Sequence, residues 1–317
     1  EISDAPMTGV LRWLDRNASD DNWFLHVNFW DVHVPYRTPP EFGNPFRDEP
    51  LPDKWITQET LTVHRAQPGI RSASKTLFLG HAKSRPDLNP ASLNTPADAK
   101  LMVDSYDTAV LYADAAVGRI VSALEEQGVL NETAVIISAD HGECLGELNA
   151  YGGHCFADEC TARIPLIIMW PGSGPKGVEV DGLVYNIDLA ATVNDMLGIG
   201  TPESWDGTSF AGALHGGPAC GRDALVISQL AQSCQRSVRF NEGAAQYLYT
   251  RTYRSAGYEL PAEMLFNVAD DPHEQRNIAA DRPGLVARAS GLLNAWEKDM
   301  PGEQGDPKDE VLADETR

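Results

Sequence analysis

A partial α/β/α sandwich followed by a small antiparallel-sheet subdomain is the fold class this sequence predicts, and two observations carry that expectation. Apolar runs ending in polar, histidine-bearing loops occupy the first part of the chain, and short alternating β-rich segments occupy its end. Runs of the first kind read as strands of an open α/β sheet, where ligands collect at the carboxyl ends of the strands. The expected division is a partial core domain over residues 1–215 and a carboxy-terminal subdomain over residues 216–317.

The first run, Trp23–Trp30, reads as a buried strand and is followed by Asp31-Val-His33-Val-Pro35-Tyr36. Prolines from Pro39 to Pro96 then interrupt any helix longer than a few turns, so residues 37–97 read as a long insertion over the sheet. If that insertion walls a cleft, Lys75, His81, Lys83 and Arg85 would meet an anionic substrate; a solvated loop is the other reading. Apolar residues from Val103 to Leu124 recur at helical spacing and Gly128 stands where a left-handed cap belongs, which predicts a packing helix over 101–128.

The second run, Ala134–Ile137, leads into Ser138-Ala-Asp140-His141-Gly142-Glu143. Gly152-Gly-His154 and Arg163-Ile-Pro165 follow, and then the third run, Leu166–Trp170, closed by Pro171-Gly172. Leu183–Gly198 reads as a helix. Ser237–Phe240, Tyr247–Tyr253 and Met264–Val268 read as strands of the small sheet, with Pro283–Trp296 as a closing helix and an acidic tail from Pro301. Gln235, Arg236 and Arg239 are candidates for reaching an anionic substrate, with a solvated strand face as the alternative.

The chemistry concentrates behind the second run. An adjacent Asp140-His141 pair can supply one oxygen and one imidazole nitrogen to a divalent ion, and Gly142 lets the chain turn sharply beside it. A capped turn with a hydrogen-bonded histidine is the competing reading of the pair. His33 and His154 share with His141 a place at or just beyond an apolar run, whereas His26, His64, His81, His215 and His273 read as ordinary core or surface residues.

At these residues the chain resembles the sulfatase family of the alkaline-phosphatase superfamily. The resemblance takes in residues 23–36, the helix at 101–128, the block at 139–143 and Tyr151-Gly-Gly-His154 through Arg163-Ile-Pro-Leu-Ile167. It continues through Asp206-Gly-Thr-Ser209 and from Leu265-Phe-Asn-Val268 to Asp271-Pro-His-Glu-Gln-Arg-Asn277. It implies an alkaline-phosphatase-like sandwich and metal-dependent hydrolysis of a sulfate monoester on a small molecule or carbohydrate. Asp140 and His141 would be ligands of a divalent cation, usually calcium, with manganese or another divalent ion as alternatives. His33 and His154 would contact the transferring sulfate or protonate the leaving oxygen.

The chain also departs from the family. Sulfatases carry an early acidic metal-binding pair and a Cys/Ser-x-Pro/Ala-x-Arg motif whose first residue becomes the formylglycine nucleophile. Neither pattern is found here, and Cys160-Thr-Ala-Arg163 places its arginine one residue too early. The sequence therefore resembles the carboxy-terminal portion of a sulfatase, a fragment or a split-gene product that a missing amino-terminal segment or a partner chain would complete. The expectation is that this chain alone is inactive. A phosphonate or phosphate ester hydrolase of the same superfamily, or a non-catalytic binding module or subunit, stands as the alternative.

Composition narrows the partners. The 42% hydrophobic and 22% charged residues fit a globular chain, and no apolar run reaches the length of a membrane span. A net charge of −21 argues against nucleic acid or an anionic membrane, since both need lysine and arginine to displace counterions. Five cysteines without short regular spacing fit reduced thiols better than a disulfide framework. The compartment, whether periplasmic, secreted or cytoplasmic, is left open.

Overall fold

The computed structural model describes residues 4–76, 87–174, 176–217, 221–300 and 305–314. Its helices are α1 (Asp4–Asn17), α2 (Gln58–Ala66), α3 (Pro96–Glu126), α4 (Glu159–Ala162), α5 (Asn186–Met196), α6 (Ala211–Leu214), α7 (Pro283–Asp299) and α8 (Pro307–Ala313). The strands are β1 (Val135–Ser138), β2 (Cys144–Leu145), β3 (Tyr151–Gly153), β4 (Leu166–Met169), β5 (Ala224–Gln229), β6 (Cys234–Glu242), β7 (Ala245–Arg254) and β8 (Glu263–Asn267). They form two units interleaved along the chain. Residues 1–134, 142–155 and 256–259 make the first, and residues 135–141, 156–255 and 260–317 make the second.

The first unit is organised by α3. Thr95 accepts the Asp98 amide while Asp98 accepts the Thr95 amide, a reciprocal cap that starts the helix several residues before the predicted Leu101. Pro96 tolerates that first turn because its missing N–H would have no intrahelical partner there. Beyond the helix Gly128 adopts φ +74°, the left-handed conformation expected of it. Ala99, Met102, Val103 and Ala109 pack with Leu61 of α2, Tyr36 and Tyr151 into one core, and Met7 of α1 packs on Ala116 in a second cluster. Helices α1 and α2 were not anticipated.

Trp23–Trp30 departs from the expected buried strand. Its residues alternate between half-buried and exposed as an extended chain does, yet they form no ladder, and Phe24 and Trp30 are 85% and 67% exposed. Pairing needs a neighbouring strand, and none is hydrogen-bonded to it among the described residues.

In the second unit β1 pairs antiparallel with β4, matching Val135 to Met169 and Ile137 to Ile167. The antiparallel sheet β5-β6-β7-β8 forms where the alternating segments predicted it, with β5 as the strand the pattern missed. Val238, Phe240, Tyr249 and Leu265 on one face of this sheet bury Ala289 and Leu293 of the closing helix α7.

The substrate-facing role considered for three β6 residues does not survive. Gln235 is fully buried, where it accepts from the Ala157 amide and donates to Thr252. Arg236 is paired with Asp306 and Glu297, and Arg239 with Glu159. Each polar head is consumed inside the unit because a buried charge needs a partner. Lys75 is exposed; His81, Lys83 and Arg85 lie outside the described residues. Among the described residues no helix is long and apolar enough to cross a membrane.

Candidate functional site

In the second unit β1 delivers Asp140 two residues past its end. The Ser138 hydroxyl donates to the Pro165 carbonyl at 3.0 Å, tying the strand end to the residue that precedes β4. Asp140 then accepts the His141 amide on Oδ1 at 3.0 Å, while its Oδ2 lies 3.8 Å from His141 Nε2. The Asp140 side chain is 89% exposed. Two ligand atoms each about 2.3 Å from one ion, and about 110° apart around it, stand roughly 3.8 Å from each other. The pair therefore fits two positions on a shared cation, to which it would offer one carboxylate oxygen and one imidazole nitrogen.

In the first unit His33 sits in a tight turn in which its amide donates to the Trp30 carbonyl and its carbonyl accepts the Tyr36 amide. Its Nδ1 is 2.6 Å from the Val34 carbonyl, a contact that requires the proton on Nδ1, and its ring stacks on Trp30 with centroids 4.8 Å apart. The imidazole is thus held at one nitrogen and on one face, which fixes the direction of Nε2.

His154 follows β3 directly. One of its ring nitrogens and a carboxylate oxygen of Glu143 lie within 4.8 Å of each other, and His154 Nδ1 and Glu143 Oε1 are both shut off from solvent. Burial pushes the Glu143 carboxyl up to about 7, against the opposing pull of the Tyr36 hydroxyl and the Arg71 guanidinium. The Tyr36 hydroxyl is in turn raised well above its usual value, first by burial and then by the Glu143 charge. Glu143, Tyr36 and Arg71 are residues to which sequence reasoning gave no role. Glu143 stood inside the quoted motif, but Arg71 lies in the proline-rich insertion, where no local pattern marks it.

A further layer braces β3 from behind. His64 Nδ1 is 2.8 Å from the Tyr151 hydroxyl, the Asn149 amide donates to the His64 carbonyl, and Thr76 donates to the Tyr151 carbonyl. Burial lowers the His64 pKa from 6.5 to about 4. The unfolded chain therefore binds this proton before the folded one does, so stability is full above about pH 6.5 and declines as pH falls toward 4. His64→Gln is expected to flatten that part of the stability profile, read as urea midpoints of the first unit's fluorescence at pH 7 and pH 4.5; an unchanged slope would locate the titration elsewhere.

The sulfatase family model matches residues 2–199. This chain belongs to the sulfatase family. A second model, the carboxy-terminal region of N-sulphoglucosamine sulphohydrolase, matches residues 146–285. The choline-sulfatase of Rhizobium meliloti is 30% identical over 88% of this chain and 51% of its own length. Arylsulfatase K of Bos taurus is 30% identical over 90% of this chain and 53% of its own. The fold is shared with the phosphonate monoester hydrolase of Silicibacter pomeroyi, with a TM-score of 0.71 and 22% identity over 96% of this chain and 63% of that one. It is shared also with BT4656 in complex with its substrate D-glucosamine-2-N,6-O-disulfate, with a TM-score of 0.66 and 20% identity over 88% and 65%. These likenesses bear out the alkaline-phosphatase-like fold. The chain spans about half the length of the curated relatives it matches.

Proposed function

We propose that this sulfatase chain contributes the cation-binding and proton-donating side of a site that hydrolyses a sulfate monoester, on a small molecule or a carbohydrate. The observation that carries the reading is the placement of Asp140 and His141 just past β1, with ligand atoms 3.8 Å apart, inside the stretch matched by the family model. A cation held there, calcium by preference, would supply positive charge against the sulfate oxygens. His33, with its Nδ1 proton on the Val34 carbonyl, would turn its Nε2 toward the sulfate or the leaving oxygen, and only its imidazolium form could donate a proton there. His154 would meet the sulfate group from beyond β3, with a ring nitrogen within 4.8 Å of a Glu143 carboxylate oxygen.

No residue of these 317 stands in the nucleophile pattern, and general acid catalysis worth roughly 10²–10⁴ in rate does not replace a covalent nucleophile. The expected result for the purified chain is therefore calcium binding without measurable turnover of an aryl sulfate. Calcium binding is read from the His141 ring resonances, and Asp140→Ala is expected to weaken it at least tenfold. Binding unchanged in that variant would remove the metal assignment. Asp140-dependent release of sulfate would show that a residue of this chain attacks sulfur, and an aryl phosphonate run in parallel would separate the two ester classes.

A further inference from the structure

The stretch from Leu265 to Asn277 marked the family resemblance, and the hydrolase reading gives it no task. In the second unit it walls a cavity of about 650 Å³. The Asp270 and Asp271 amides donate to the Asn267 carbonyl, and the Asp271 carboxylate accepts in turn from the Gln275 and Arg276 amides. Asn277 Oδ1 accepts the Leu265 amide while the Ile278 amide donates to the Leu265 carbonyl, so the chain returns along β8. The Asp281 and Arg282 amides then bond the Ile278 and Ala279 carbonyls and bring both residues to the same cavity ahead of α7. Tyr247 of β7, opposite Asn267 in the ladder, adds a ring stacked on Phe240 with centroids 5.6 Å apart, and Ile278 adds an apolar patch. A wall pinned at so many points is formed before any ligand arrives.

Both signs of charge line this cavity. Asp270 accepts the Asn267 side-chain amide at 2.6 Å, Asp271 holds its two backbone amides, and Asp281 lies 3.6 Å from Arg276 with both side chains exposed. That last separation is longer than an ordinary hydrogen bond, and exposed pairs of this kind hold their partners loosely. The Arg282 side chain has no hydrogen bond or ion pair among the described residues, although three carboxylates line the same cavity. A bare anion would meet those carboxylates, a cation would meet two guanidinium groups, and an apolar molecule would desolvate both. A sugar with an acidic substituent fits the whole lining. Its hydroxyls donate to the carboxylates, its acidic group accepts from the flat guanidinium forks, and the C–H face of its ring lies on Tyr247 and Ile278. The volume also lies inside the roughly 300–1,000 Å³ of small-molecule sites. We infer that this cavity binds an anionic saccharide, with Arg276 and Arg282 on its sulfate or carboxylate and Tyr247 against its ring.

The inference goes beyond the hydrolase reading, since none of these residues is assigned to the cation or to the transferring sulfate, and its test reads binding alone. The probes are a tetrasaccharide of chondroitin 6-sulfate, the same tetrasaccharide desulfated, and neutral chitotetraose. In a nuclear magnetic resonance titration of the full 317-residue chain, the sulfated tetrasaccharide is expected to shift the Asn267 amide and the Tyr247 ring saturably, and chitotetraose to bind at least tenfold more weakly. Loss of binding on desulfation assigns the acidic group as sulfate, and retention assigns it as the uronic carboxylate. Arg282→Gln breaks no side-chain contact of the free chain, so it should leave the melting temperature unchanged and weaken the complex at least tenfold. Asp140→Ala should leave this binding intact while it weakens calcium at His141, which separates failure here from failure of the hydrolase reading. No shift at Asn267 and Tyr247, equal binding of chitotetraose, or binding indifferent to Arg282→Gln overturns the inference. Inorganic sulfate bound as tightly as the tetrasaccharide, or calcium shifting the Asp270 and Asp271 amides, overturns it too, because the cavity would then be a plain ion site.

Discussion

Asp188→Ala is expected to destabilise the second unit by about 3–5 kcal/mol, the cost of leaving a buried charge network without its centre. Asp188 is fully buried at the start of α5 and serves three donors. Its Oδ2 accepts the Tyr185 amide at 2.7 Å, capping the helix, and its Oδ1 accepts the Thr208 amide at 2.7 Å. The Arg222 guanidinium completes the set by bonding the same carboxylate, while it stacks over the Tyr185 ring and donates to the Asp206 carbonyl. Alanine strands two amides and a cation at once. Asp188→Asn keeps an acceptor but loses the ion pair, and the smaller expected loss is about 1–3 kcal/mol. Urea unfolding followed by the second unit's amide exchange decides the point; equal stability of the wild type and Asp188→Ala would mean that solvent satisfies all three donors.

That clasp also explains a motif the sequence offered without a reason. Asp206-Gly-Thr-Ser209 marked the family resemblance, and the Thr208 amide, the Ser209 hydroxyl and the Asp206 carbonyl turn out to tie α5 to the strand region through Asp188, Asp195 and Arg222. Gly207 is required by close approach, since a Cβ there would lie 2.3 Å from the Ile187 carbonyl oxygen. Local patterns of this kind were legible. The periodicity of α3, the cap at Gly128, the three predicted β-rich segments and the Asp140-His141 step behind β1 all depend on neighbours in sequence. What was not legible depends on partners far along the chain. Arg236 and Arg239 looked like a cationic rim because their acids lie at Glu159, Glu297 and Asp306. Trp23–Trp30 looked like a buried strand because apolar alternation reports a preference for pairing, and pairing needs a second strand that no local window can supply.

Arg236→Ala is expected to release α8 and to cost about 3–5 kcal/mol, again because acids are left buried without their cation. Arg236 is 2% exposed, bonds Asp306 through both terminal nitrogens, donates to Glu297 at 3.0 Å and lies 5.0 Å from the centre of the Trp296 ring. Lys308 joins Glu297 at 3.4 Å, and Arg254 donates to the Val311 carbonyl at 2.9 Å, so charged and polar contacts tie α8 to β6, β7 and α7. The Arg236 hydrogen bonds bring the Asp306 carboxyl down to about 2. Its contribution is therefore complete above the unfolded value of about 4 and is lost as pH falls from there toward 2. Hydrogen exchange across residues 305–313 should show α8 protected at pH 5 and freed progressively below pH 4. In Arg236→Ala the same amides should exchange freely already at pH 5. Protection that persists there would assign the docking to Arg254 and Lys308, and acid release at an unchanged pH in the variant would show that Asp306 is not the titrating group.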